Sequence, residues 1–151
     1  MLHTGLSVDL DLRGKTATQS SDYYDTDLGI PLTADRALDG DTATFSHTLC
    51  TGNQWWRVDL GDTYCFTRIT IVNRNELGGR LNGAVVRAGL DPSDFSQNTR
   101  IGTVTSTQAT NGATIPFTSN PAISARYVSV ELCIYFEDCF YTCVSENRSQ
   151  D

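Results

Sequence analysis

The sequence predicts an all-β domain, an antiparallel β-sandwich of the jelly-roll type. Short β-branched and aromatic segments recur along the chain, clearest in TRITIV at 67–72. Turn signals such as Gly61-Asp62, Asn82-Gly83 and Asn111-Gly112 fall between them. No apolar pattern of helical period runs beyond about one turn. Many short strands with frequent turns point to a sandwich or jelly roll.

The strands follow in order. Leu6, Val8, Leu10 and Leu12 alternate with polar residues, the period of a half-buried strand. Gly14-Lys15 breaks it, and residues 16–19 form a second short strand. Residues 20–32 read as a polar surface loop containing Tyr23 and Tyr24. Residues 33–38 suit one helical turn, with Thr33 as N-cap and Asp39-Gly40 as the stop. WWRVDL at 55–60 alternates again, and Gly61-Asp62 is expected to turn the chain into the strand at 67–72. Residues 73–79 are a loop. Further strands are expected at 84–89, 101–105, 114–117 and 127–132, with a loop at 91–98. Residues 136–142 are expected to form a last strand held by disulfides, and 145–151 a disordered tail.

Bulk composition narrows the function. A chain of 151 residues fits one domain with a real core. Its net charge of -7 argues against a nucleic-acid partner. Ten arginines stand against the single lysine Lys15, and Arg offers a planar fork of donors suited to sugars or carboxylates. The five cysteines, Cys50, Cys65, Cys133, Cys139 and Cys143, include no C-x-x-C pair, so neither a zinc ribbon nor a thioredoxin-type site is supported. Three of them cluster near the C-terminus, which favours an oxidising compartment. Asn147-Arg148-Ser149 is a glycosylation acceptor pattern. No apolar run is long enough to span a membrane, and no signal-peptide pattern is present. A secreted location with the leader removed is the expectation.

Two places carry chemistry. Residues 46–80 hold His47, both tryptophans, and Arg74 and Arg80 bracketing a glycine-containing loop. Asp39-Gly40-Asp41 with Thr44 reads either as a tight turn or as oxygen ligands for a hard cation. Neither G-x-S-x-G nor H-E-x-x-H occurs, and no pair of carboxylates is placed to flank one glycosidic bond, so catalysis is not expected.

RGKTATQSS at 13–21, ALDGD at 37–41, SHT at 46–48, WWRVDLGDTY at 55–64, ITIVNR at 69–74, GRLNGAVVRAG at 79–89 and ARYVSVEL at 125–132 resemble the F-type lectin (fucolectin) family. The resemblance assigns residues 1–144 to one such domain and implies a jelly roll, discoidin-like in plan, with loops at one end binding terminal α-L-fucose. His47, Arg74 and Arg80 match the family's sugar-binding trio. Glu76 takes the acidic position of its R-x-D motif, either pairing with Arg74 or standing in solvent. Where relatives carry two adjacent cysteines the loop reads NELGG, which leaves Leu77 for apolar contact. Phe45 is what remains of an aromatic wall, because residues 39–47 are short. A more open pocket with broader specificity follows. Trp55, Trp56 and Tyr64 are expected in the core rather than on the sugar.

The resemblance also implies a structural calcium. Arg36, Asp39, Asp41 and Thr44 are ligands by position, with Glu137, Asp138 or Glu146 to complete the shell. Fucosylated glycans are the expected partners, with no nucleic acid, no membrane insertion, and a homo-oligomer or tandem array for avidity. The alternative is a discoidin-like adhesion module whose end loops bind protein or lipid surfaces.

Overall fold

The computed structural model describes residues 9–134, with side chains described through Leu132. Seven strands appear: β1 Thr16–Gln19, β2 Tyr24–Asp25, β3 Ile30–Pro31, β4 Gly52–Val72, β5 Val85–Gly89, β6 Thr99–Thr103 and β7 Thr114–Ile134. The main sheet has the order β1-β4-β7-β5-β6 with every pair antiparallel, and β2 and β3 form a small separate ribbon. The expected strand at 136–142 and the expected tail at 145–151 lie outside the described residues.

Two long strands make the sandwich. β4 and β7 pair along their whole length but lose register twice. Asp59 faces Tyr127 and Tyr64 faces Ala125, so residues 60–63 stand opposite Arg126 alone. Phe66 faces Ile123 and Arg68 faces Thr118, so residues 119–122 stand opposite Thr67 alone. Extra residues on one strand bend and twist a ribbon. The far arm thereby packs over β5 and β6: Ile115 and Phe117 of β7 share a buried cluster with Val86 of β5. A Cβ on Gly102 of β6 would lie 2.6 Å from Phe117 Cδ1, so that residue must be Gly for the layers to close. This ribbon corrects the reading of Gly61-Asp62 as a chain reversal. Gly61 takes φ 82° inside a bulge, and the strand runs on. It likewise joins the two segments expected at 114–117 and 127–132 into one strand.

The core divides at the bend. Leu38, Val58, Leu60, Ala88, Ala125 and Val128 form one cluster, with Trp56 and Tyr64 packed against it. Ala84, Val86, Val104, Ala109, Ile115 and Phe117 form the other, and Ile69 touches both. Each buried Val, Leu, Ile or Phe contributes about 1.5–3 kcal/mol. Trp56 packs on the first cluster as expected, whereas Trp55 belongs to neither cluster and meets Phe95 edge-on at 5.3 Å.

Of the strand expected over residues 6–12, only residues 9–12 lie among the described residues. These form no strand, although Leu12 still packs on the first cluster. Lys15 N donates to Leu12 O and Gly14 takes φ 79°, so the chain is already turning there. Alternation alone did not supply a neighbouring strand to complete the ladder. The helical turn was placed correctly, as the 3-10 turn Ala34–Ala37 after Thr33. Thr33 makes no side-chain cap bond; its hydroxyl donates to Asp35 instead.

Candidate functional site

Two loop systems meet at one end of the sandwich. The first carries Phe45 and His47. Trp56 of β4 donates its indole N–H to Ala34 O at 2.9 Å, which fixes the 3-10 turn that leads into this loop. Gln19 at the end of β1 donates Nε2 to Leu32 O and to His47 O. His47 N donates to Leu32 O, and Tyr23 N donates to His47 O. The backbone on both sides of the imidazole is therefore tied to β1 and to the 20–32 loop.

The second system carries Arg74 and Arg80. Asn73 is buried where β4 ends, and its amide donates to Gly78 O and Thr110 O, both at 2.9 Å. Its Oδ1 accepts from Arg74 N. Gly112 N donates to Arg74 O, and Gly78 N to Asn111 Oδ1. A Cβ at Gly78 would sit 2.5 Å from the carbonyl carbon of Thr110, so only glycine permits this approach. Leu77 adopts a left-handed φ of 54° before the 3-10 turn Gly78–Leu81, which carries Arg80.

These loops bring the three predicted residues within electrostatic reach of one another. His47 is half-buried, and its pKa falls from 6.5 to about 4, first through burial and then through Arg74 and Arg80. The imidazole is therefore neutral at physiological pH. Burial, then the field of Arg80, lowers the pKa of Arg74 in turn. Arg74 Cζ lies 4.2 Å from the centroid of the Phe45 ring, a cation–π contact. His47 meets Phe45 edge-on at 6.4 Å and Tyr23 at 4.6 Å. His47 Nδ1, Arg74 Nε and Arg80 Nε are all buried without a hydrogen-bond partner. Arg36, Arg57 and Arg87 share that condition at Nε, so it is the grouping that distinguishes these three.

Phe45 thus supports Arg74 as well as lining this end. The pair between Glu76 and Arg74 is not formed: Glu76 is exposed and in no ion pair, and only its field reaches Arg74. A long side chain on a loop gains little from holding one geometry in water. Leu77 is half exposed. Sequence reasoning left two neighbours unassigned. Tyr23 packs on His47, and Asp25 lies close enough to oppose the pKa falls of His47 and Arg74. The two tyrosines in an otherwise polar loop were the available signal.

A cluster of oxygens lies beside the first loop. Thr44 Oγ1 sits 3.2 Å from Arg36 O, 3.1 Å from Asp41 O and within hydrogen-bond distance of Asp39 Oδ2. One hydroxyl proton cannot satisfy three acceptors. Such an excess of oxygen acceptors suits a hard cation. Among the described residues no three His, Cys, Asp or Glu side chains assemble as a metal centre. Glu137, Asp138 and Glu146 lie outside the described residues. Cys50 is disulfide-bonded and Cys65 is a free, exposed thiol.

A bent antiparallel sandwich with a polar constellation in its end loops is the architecture of the galactose-binding-like domains. Residues 36–130 match the family described as NedA-like, galactose-binding domain. Fucolectin-4 of Anguilla japonica is 34% identical over 127 residues, covering 80% of this chain and 69% of its own. The fucolectin from Morone saxatilis (striped bass) serum superposes with a TM-score of 0.70 at 33% identity, over 82% of this chain and 42% of that one. The lectin domain of lectinolysin, complexed with Lewis B antigen, gives 0.68 at 27% identity, over 86% and 89%. The chain belongs to the F-type lectin (fucolectin) family. It spans 55 to 69% of the length of the curated fucolectins it matches. Among the described residues no helix is long and apolar enough to cross a membrane.

Proposed function

We propose that this domain is a non-catalytic lectin that binds terminal α-L-fucose on glycans through His47, Arg74 and Arg80. The observation that carries the reading is the grouping of three buried, unpartnered nitrogens on a neutral imidazole and two guanidinium groups. A neutral sugar presents hydroxyls that donate and accept, and a ring oxygen that only accepts. Two guanidinium groups donate to a hydroxyl and the ring oxygen, and the imidazole completes the set. The names of relatives agree, since they are fucolectins and a lectin domain bound to Lewis B antigen. Phe45 holds Arg74 in place, and Leu77 offers apolar contact at the rim.

Calcium belongs to the same proposal. Arg36 O, Asp39 Oδ2, Asp41 O and Thr44 Oγ1 would hold it, with Glu146 a candidate to complete the shell. The ion would supply positive charge that locks the loop leading to Phe45 and His47. We further infer a secreted protein that gains avidity as an oligomer or tandem array, because single sites of this kind bind weakly.

A glycan array tests the assignment. Fucosylated glycans should bind, and His47→Ala or Arg74→Ala should remove about 100-fold of affinity without loss of fold. Absence of any fucosylated ligand, or full binding by both variants, overturns it. Exposed Tyr24, Leu28, Leu49 and Leu77 favour a second reading, a discoidin-like adhesion module. Binding to a protein or lipid surface that free fucose does not compete away would establish that reading instead.

A further inference from the structure

We propose that the cluster of His47, Arg74 and Arg80 also takes a compact oxyanion, a sulfate or carboxylate, either free or carried on a saccharide. The inference rests on the reading that these residues form the ligand site, and it adds a charge class to that site.

The argument begins with unpaired charge. Arg13, Arg87 and Arg126 are each ion-paired with a carboxylate. Arg36, Arg74 and Arg80 make no ion pair and donate no side-chain hydrogen bond among the described residues, although the Nε of each is buried, and of these only Arg74 and Arg80 act on His47. Two carboxylates stand near, and neither neutralises them by contact. Asp25 turns Oδ1 to the backbone N–H groups of Asp27 and Leu28 in its own ribbon. Glu76 is exposed. Beneath Arg74 lies the Phe45 ring, which offers no acceptor. The result is two guanidinium charges, partly removed from water and close enough to repel.

Sugar hydroxyls satisfy these donors but leave the charge in place. An oxyanion does both. Charge-assisted hydrogen bonds are roughly twice as strong as neutral ones, and the guanidinium fork matches sulfate and carboxylate geometry. The chain's net charge of -7 opposes an approaching anion at long range. That field is screened beyond about 8 Å at physiological salt, whereas contact within the cluster is not.

The test is competition on the intact domain. Binding of methyl α-L-fucoside is followed by calorimetry while sodium sulfate replaces sodium chloride at constant ionic strength. Sulfate should displace the fucoside competitively, and direct calorimetric titration of sodium sulfate without fucoside should show binding that Arg80→Gln, checked for an unchanged melting temperature, removes. A fucoside bearing a sulfate ester, compared with its neutral parent, separates the sources. About tenfold tighter binding of the ester indicates a saccharide-borne anion, whereas competition by inorganic sulfate without that gain indicates the free ion. Normal fucoside binding with neither sulfate competition nor ester preference overturns the inference and leaves the fucose reading intact. Sulfate binding that Arg80→Gln removes, without fucoside binding, overturns the fucose reading and leaves the inference intact.

Discussion

Arg126 and Arg74 show two uses of the same side chain. Arg126 lies on β7 at the bulge and grips Asp59 across the ladder, with Nε to Oδ1 at 2.8 Å and Nη2 to Oδ2 at 3.0 Å. That pair holds the Asp59 carboxyl at about 2 and raises Arg126. Arg74 lies one residue beyond the well-tied Asn73, on an aromatic ring, with no carboxylate in contact. In the sheet, charge is closed by the protein itself. In the end loops, the backbone is satisfied while the charged tips are not. Arg87 and Arg126 close their charge on carboxylates, whereas Arg36, Arg74 and Arg80 each keep a buried Nε without a partner, and only Arg74 and Arg80 act on His47.

The largest effect should come from breaking the frame that holds the open arginines. Gly78→Ala drives a methyl into the Thr110 carbonyl, where backbone must shift rather than a side chain. Overpacking of this kind costs about 1–3 kcal/mol, or roughly 3–10 °C in melting temperature for a domain of this size. Fucose affinity should fall with it, because Asn73 donates to the same glycine. A variant with wild-type melting and binding would show that the loop tolerates another path.

Calcium removal should act next, through the other loop. A ligand that binds only the folded state raises the melting temperature with its concentration. EDTA should therefore lower the melting temperature by several degrees and weaken fucose binding, and added calcium should restore both. Asp39→Asn should blunt the calcium response. A thermal scan indifferent to EDTA and calcium would leave the Thr44 oxygen cluster as a plain turn.

Much of this was legible in the sequence, for local reasons. The turns at Asn82-Gly83 and Asn111-Gly112, the β-branched runs and the helical turn after Thr33 obey short-range rules, and the structure places them as expected. The resemblance to the family's sugar-binding trio marked out His47 and Arg74, and the structure brings them to one end of the sandwich. What failed was long-range. Nothing local separates a chain reversal at Gly61 from a bulge, because both use a glycine at positive φ; pairing with β7 decides it. Alternation at Leu10 and Leu12 promised a strand, yet a ladder also needs a partner. Tyr23 and Asp25 were missed because their roles depend on a two-stranded ribbon folding against His47.

Acid should separate the loop end from the sheet more gently. The unfolded chain protonates His47 near 6.5, whereas the folded chain does so near 4. Between those values the unfolded state holds the extra proton, so this contribution to stability is complete above about pH 6.5 and is lost as pH falls towards 4. Fucose affinity should stay level to about pH 5 and fall below it, as a third positive charge joins Arg74 and Arg80. A His47 signal, assigned by its loss in His47→Ala, that titrates by NMR near 6.5 in the folded protein would show that the imidazole is neither shielded nor close to the arginines.

The smallest effect should come from Arg126→Ala. The pair is bidentate, but the Arg126 side chain is 42% exposed, and water screens most of what the geometry gives. Asp59 also keeps a second partner, since its Oδ1 accepts from Gly61 N within the bulge. The melting temperature should shift by no more than about 2 °C at neutral pH. Most of that shift should vanish in high salt, and also in acid, as Asp59 protonates and the pair is lost from the wild type too. Fucose affinity should not change, because the bulge is held by Gly61 and the β4–β7 ladder independently of this charge. A large loss of binding in Arg126→Ala would dissolve the division between arginines that close the fold and arginines that face a ligand.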